Sequence, residues 1–147
     1  MSARSPRLGL AALALLLVAI PAVGVQSRDG GKKVDKEKIC QEAEARYREL
    51  FGKPSKEGPD VVVLMYKYTF CPSVLEVKQG AKIRWVNVDK RTSHSVWFKE
   101  AGRPESDRVF SEEHVPMTAD LAPGSYPYIC GPHNERQGMR GTLTIVP

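Results

Sequence analysis

Short runs of β-forming residues follow one another along residues 60–147, and Gly, Pro or Asp-Lys turns separate several of them. The runs lie at residues 61–68, 74–78, 82–88, 95–99, 109–110, 126–130 and 142–146. Six or seven short strands in about 88 residues are typical of a β-sandwich or barrel. We therefore expect an all-β fold in this part of the chain.

A helical pattern precedes the strands. Apolar residues recur at three- and four-residue steps through residues 37–51, with charged and polar residues on the other face. This spacing predicts an amphipathic helix. Asp35 is a candidate N-cap, and Gly52 is placed to end the helix.

The N-terminus has the pattern of a secretory signal peptide. Arg4 and Arg7 precede an unbroken apolar run of 13 residues at 8–20, which is too short to span a bilayer. Small residues then predict cleavage after Gly24, into the periplasm; an uncleaved membrane anchor is the alternative. The expected segments are a signal peptide at 1–24, a flexible linker at 25–36, a helical extension at 37–58 and a β domain at 59–147.

The charge of the chain gives little support to nucleic-acid binding. Removal of residues 1–24 takes away two arginines and no acidic residue, which lowers the formal net charge from +5 to +3. No Lys/Arg-rich run with interleaved aromatic residues remains. We expect an exported monomer that binds no nucleic acid and has no stable membrane insertion after cleavage.

Metal-ligating residues concentrate near the C-terminus. Cys130, His133 and Met139 lie within ten residues of one another, and His94 lies upstream between two predicted strands. Two imidazoles, one thiolate and a weak axial thioether are the ligands of a mononuclear blue-copper site. With only three His and three Cys, the chain lacks the ligands for a multi-copper or multi-zinc enzyme.

The sequence between about residues 61 and 146 resembles the cupredoxins of the plastocyanin, amicyanin and pseudoazurin type. The matching segments are Phe70-Cys71-Pro72 with Val77 and Gly80, Ile83-Arg84-Trp85-Val86-Asn87, Thr92-Ser93-His94-Ser95-Val96, the segment from Leu121 to His133, and Gly138-Met139-Arg140-Gly141. The resemblance implies a Greek-key β-sandwich with one type 1 copper ion at one end. It also implies that His94, Cys130 and His133 are the strong ligands and Met139 the weak axial one.

Two departures from the family pattern affect the expected site. The loop from His133 to Met139 is longer than is usual in the family, so Gln137 is an alternative axial ligand. Ser95 follows the first histidine at a position where the family usually has Asn. In the family, that Asn ties the histidine segment to the cysteine loop. The shorter hydroxyl is expected to alter the reduction potential and the rigidity of the site.

The other two cysteines have a structural interpretation. Cys40 lies on the apolar side of the predicted helix, and Cys71 lies early in the β domain. A disulfide bond between them is compatible with an oxidising compartment and would contribute about 3 kcal/mol to stability. Two buried free thiols are the alternative.

These features favour an exported carrier of single electrons that cycles between Cu(I) and Cu(II). Its expected partners are transient redox proteins such as c-type cytochromes or dehydrogenases. The alternatives are a periplasmic copper carrier or assembly factor, and an interaction module whose metal is incidental. We expect no enzyme activity, because the sequence shows no open catalytic metal position and no nucleophile–base pair; the third histidine, His114, lies in a polar segment.

Overall fold

The computed structural model describes residues 35–147, so the predicted signal peptide and residues 25–34 of the predicted linker lie outside it. The helices are α1 (Lys36–Phe51), α2 (Asn134–Gln137) and two 3₁₀ turns (Lys99–Ala101 and Gly131–His133). The strands are β1 (Val61–Tyr66), β2 (Thr69–Cys71), β3 (Val74–Lys78), β4 (Lys82–Asn87), β5 (His114–Thr118), β6 (Gly124–Ile129) and β7 (Arg140–Val146).

The strands form two mixed sheets that make a sandwich. One sheet has the order β2-β1-β4-β5 and the other the order β3-β7-β6. The β1–β4 and β3–β7 pairs are parallel, and the remaining pairs are antiparallel. The predicted all-β sandwich with an N-terminal helix is therefore confirmed.

Aromatic and aliphatic side chains fill the space between the sheets. Trp85 and Tyr128 are fully buried and meet edge to face, with ring centroids 5.7 Å apart. In strand β7, every second residue faces the core: Gly141, Leu143 and Ile145 are buried, while the threonines between them are partly exposed.

Helix α1 packs on the outer face of the first sheet. Its buried Ala43 and Tyr47 join a cluster with Leu64, Val86 and Val88. The helix begins where the cap chemistry predicts, because Asp35 Oδ1 accepts a hydrogen bond from the backbone N–H of Lys38. Neither helix among residues 35–147 is both long and apolar enough to cross a membrane.

A disulfide bond joins Cys40 of α1 to Cys71 of β2, as the sequence predicts. The bond closes a segment with a sequence separation of 31 residues. It fixes the helix to the sheet beside the shared apolar cluster, and it leaves Cys130 as the free cysteine.

The predicted strands at 61–68, 95–99 and 109–110 are wrong in part. The strand predicted at 61–68 is shorter in the structure: β1 ends at Tyr66, and the chain turns at Lys67 and Tyr68, which both have positive φ. Residues 95–99 and 109–110 form only isolated bridges, His94–Val109 and Trp97–Ile129. The backbone N–H of Val96 donates to the Ser106 hydroxyl, so a side chain replaces a ladder partner.

Strand β5 was not predicted from the sequence. It pairs with β4 at the edge of the first sheet, and its residues alternate between exposed and partly exposed positions. It also contains Pro116, which is tolerated at a sheet edge but is not a strand signal.

Candidate metal centre

Two connections of the sandwich, β4–β5 and β6–β7, supply the candidate ligands. His94 lies in the segment after β4, where its backbone pairs with that of Val109. Cys130 directly follows β6, and His133 lies in the 3₁₀ turn after it. Met139 is the residue before β7. The sandwich therefore brings His94 next to a cysteine loop that is far away in sequence.

The side chains of His94, Cys130 and His133 converge on one point. The Cys130 Sγ atom is 3.7 Å from Nδ1 of His94 and 3.3 Å from Nδ1 of His133. All three potential ligand atoms lie within 4.8 Å of one another. His94 and Cys130 have no solvent-exposed surface, whereas His133 is partly exposed.

These separations fit a metal ion. Zinc–nitrogen and zinc–sulfur bonds of about 2.0–2.3 Å place the donor atoms about 3.5–3.8 Å apart around a trigonal or tetrahedral ion. Copper takes the same types of donor, and a set of two imidazoles and one thiolate is typical of blue-copper centres. The described residues therefore provide three donors at suitable distances.

Backbone hydrogen bonds hold the loop that carries Cys130. The Cys130 N–H donates to the Met139 carbonyl, and the Met139 N–H donates to the His133 carbonyl, each at 3.1 Å. Met139 is buried in the core cluster. Gln137, the alternative axial residue, is exposed on α2.

Comparison with known proteins places the chain in a family. The family model for a cupredoxin-like domain matches residues 40–145. The chain belongs to the cupredoxin-like family. The match begins inside α1, so it includes most of the helix as well as the sandwich.

Solved structures with this fold include copper proteins. A copper-containing nitrite reductase from Thermus scotoductus SA-01 is 27% identical, with a TM-score of 0.53, over 65% of this chain and 24% of that one. The cupredoxin-like chain thus spans about a quarter of that enzyme. A reduced Cu(I) form of an amicyanin point mutant is 28% identical, with a TM-score of 0.52, over 60% and 84% of the two chains. An oxidised amicyanin point mutant is 25% identical, with a TM-score of 0.52, over 63% and 89%.

Ser95 links the two ligand-bearing segments of this cupredoxin-like chain. Its hydroxyl accepts a hydrogen bond from the Gly131 N–H at 3.1 Å and donates one to Glu105 Oε1 at 2.6 Å. The Ser95 N–H also points at Cys130 Sγ, 3.5 Å away. A Cβ atom at Gly131 would lie 2.0 Å from Glu105 Oε1, so glycine makes room for this carboxylate.

Ser95 could be singled out from the sequence, but Glu105 could not. The two residues are ten positions apart and lie in segments without regular strand pairing, so no periodic pattern connects them. Glu105 therefore adds to the contact between the two segments, because its carboxylate accepts from Ser95 and also lies against Gly131.

Asp89, which the sequence did not point to either, contacts the second ring nitrogen of His94. Asp89 Oδ2 lies 2.7 Å from His94 Nε2. A carboxylate only accepts hydrogen bonds, so Nε2 carries the proton and Nδ1 is left facing Cys130. Burial lowers the pKa of His94, but the hydrogen bonds with Asp89 and Cys130 outweigh burial and raise it above its usual value.

Tyr68 is a third residue that the sequence did not identify. Its ring packs edge-on against His133, with centroids 4.9 Å apart, and lies 6.4 Å from the His94 ring. The side chain is 41% exposed and covers part of the site. Its place depends on the tight turn between β1 and β2, which has no clear signature in a run of β-forming residues.

The environment of His133 favours a neutral ring. Burial, then the positive charges of His94 and Arg108, lower the pKa of His133 below its usual value.

His114 lies elsewhere, at the exposed start of β5, and is not part of the His–Cys–His cluster, the one such group found in residues 35–147.

Proposed function

We propose that this cupredoxin-like protein is an exported carrier of single electrons with one type 1 copper ion. The His94–Cys130–His133 cluster is the observation that carries the proposal, because three donors of this kind lie within 4.8 Å of one another. Copper bound there would supply a one-electron Cu(I)/Cu(II) couple. The amicyanin structures, one described as Cu(I) and one as oxidised, support this assignment.

Met139 is the proposed weak axial ligand. It is buried in the core cluster and its backbone is bonded to both Cys130 and His133. Gln137 is exposed on α2, which makes it the less suitable of the two candidates. A thioether also suits Cu(I), which prefers soft donors.

The protein's own residues shape the conditions for electron transfer. Buried His94 and Cys130 exclude water from one side of the site, and the hydrogen bonds of the cysteine loop keep the donor atoms in place. Partly exposed His133 is then the proposed route for electrons between the site and a partner. Gly131 and Pro132, also partly exposed, would surround the contact with a transient redox protein such as a c-type cytochrome or dehydrogenase.

Export is part of the proposal. The basic and apolar pattern of residues 1–24 is that of a signal peptide, and the Cys40–Cys71 disulfide is compatible with an oxidising periplasm. The mass of the mature protein from the periplasmic fraction should correspond to cleavage near Gly24. A chain that retains its first 24 residues would contradict this part.

An electron carrier accounts for the described residues better than an enzyme. The likeness to nitrite reductase covers 24% of that protein, so its reaction does not transfer with the fold. Within residues 35–147, His114 is the remaining histidine and lies on the exposed edge strand β5.

Copper loading of the mature chain and of Cys130→Ser tests the metal centre. The wild type should bind one copper ion per chain and show an intense visible thiolate-to-copper band. Cys130→Ser should lose that band, while His114→Asn, the matched control outside the cluster, should keep it. A wild type without the band, or a Cys130→Ser variant with it, would contradict the proposal.

A further inference from the structure

The segment after β4 places a carboxylate behind the buried histidine. Asp89 Oδ2 is 2.7 Å from His94 Nε2, and the side chain of Asp89 is 13% exposed while that of His94 is fully buried. At this distance the contact is a strong charge-assisted hydrogen bond when the ring donates. The carboxylate thus lies on the side of the ring opposite Cys130.

The rest of the fold holds this carboxylate in place. The same Oδ2 atom accepts a hydrogen bond from the Lys67 N–H in the β1–β2 turn, at 3.1 Å. The Asp89 N–H donates to the side-chain oxygen of buried Asn87, at 2.8 Å. The Asn87 amide in turn donates to the carbonyl of Thr92, two residues before His94, and to that of Val109, whose backbone pairs with His94. Asp89 is therefore oriented from two directions.

We infer that Asp89 is a positioning residue that fixes His94 with Nδ1 toward the metal and lowers the reduction potential of the site. The inference rests on the proposed function, since it concerns the copper that His94 would bind. A carboxylate that accepts from the outer nitrogen of a ligating imidazole fixes its tautomer and increases its basicity. The nearby negative charge stabilises Cu(II) more than Cu(I), because Cu(II) carries the larger positive charge.

The Tyr68 side of the same turn supports this role. Lys67 and Tyr68 both have positive φ, so the turn bends tightly enough to direct the Lys67 N–H at Asp89 and the Tyr68 ring at His133. The side chain of Lys67 also forms an ion pair with Glu42 of α1. One turn thus contacts the surroundings of both histidines.

Reduction potentials of copper-loaded variants test the inference. Asp89→Asn keeps an oxygen that accepts from Nε2 but removes the charge, and Asp89→Ala removes both. Asp89→Asn should raise the potential by about 59 mV, which corresponds to a tenfold change in the Cu(II)/Cu(I) equilibrium for one electron. Asp89→Ala should raise it at least as much and also alter the visible spectrum, because the ring loses its fixed orientation.

Asp120→Asn is the matched control. This variant also removes one negative charge, but at the far end of the sheet. Asp120 follows β5 beyond the Lys82–Thr118 pair, whereas Asp89 lies after the opposite end of β4. Its potential should equal that of the wild type. Unchanged potentials in both Asp89 variants, with normal blue spectra, would overturn the role of Asp89 and leave the proposed function intact. A wild type with no blue band would instead overturn the proposed function and, with it, this inference.

A measurement on the wild type covers the case in which an Asp89 variant does not fold. In the diamagnetic Cu(I) form, a nitrogen–proton NMR correlation of the His94 ring should show a slowly exchanging Nε2–H in a strong hydrogen bond. A ring with its proton on Nδ1 and the metal on Nε2, or a rapidly exchanging Nε2–H, would overturn the inference.

Discussion

The two histidines of the candidate centre differ in what surrounds them. His94 is fully buried, and its outer nitrogen is held by Asp89. His133 is partly exposed, and an aromatic ring, Tyr68, packs against it. The protein thus fixes one imidazole with a carboxylate inside the fold and leaves the edge of the other near solvent. In the proposed function, His94 and Asp89 set the reduction potential of the site, whereas electrons pass through His133.

Deletion of each imidazole in turn should have the largest effect on the visible spectrum and tests the difference between the two positions. In copper-loaded His94→Gly and His133→Gly, the intense visible band should fall about tenfold or more, because each variant loses a strong ligand. Added free imidazole should restore the band in His133→Gly, since solvent reaches that position. It should not do so in His94→Gly, whose ring lies in a closed, buried place.

The control for this pair is His114→Gly, which should keep the band with or without added imidazole. Restoration in both ligand variants, or in neither, would show that the two positions do not differ in access as the structure indicates. The visible spectrum during an imidazole titration is the measurement.

A smaller effect, on copper affinity, is expected from loss of the Ser95 contacts between the His94 segment and the cysteine loop. Ser95→Ala removes the acceptor for the Gly131 N–H and the donor to Glu105. All metal donors remain in this variant, so we expect metal affinity to fall by about tenfold, the low end of the range for supporting contacts. Ser125→Ala, at an exposed position of β6, is the control. Copper affinities measured by competition with a chelator should separate the two, and equal affinities would show that the tie does not support the site.

The smallest effect should come from Tyr68. Tyr68→Ala uncovers part of His133, so water should stabilise Cu(II) and lower the reduction potential modestly. Tyr68→Phe keeps the ring and should have the wild-type potential. If Tyr68→Phe lowers the potential as much as Tyr68→Ala, the hydroxyl rather than the cover of the ring is responsible.

The donors at the site could be predicted because the chemistry is local in sequence. Cys130, His133 and Met139 lie in one loop, and His94 lies within a recognisable motif. The structure brings His94, Cys130 and His133 together, while their role as ligands and that of Met139 remain proposals. Helix α1 was predicted to within one residue at its start, because an N-cap and a C-terminal glycine have direct physical effects at helix ends.

The residues around the donors could not be predicted in the same way. Asp89 and Tyr68 reach the site through the parallel pairing of β1 with β4 and through a turn of positive φ. Neither feature follows from the spacing of apolar residues. Strand β5 has five residues, none of them buried, and contains Pro116, so its sequence gives only a weak strand signal.

The central claim is that the His94–Cys130–His133 cluster holds a copper ion that exchanges single electrons. An anaerobic redox titration of the copper-loaded mature protein, followed by its visible spectrum, tests the claim most directly. We predict one reversible one-electron transition in which the thiolate-to-copper band disappears on reduction and returns fully on oxidation, with copper retained throughout. Release of copper on reduction, or a band that does not return, would contradict the electron carrier and favour a protein that hands copper on.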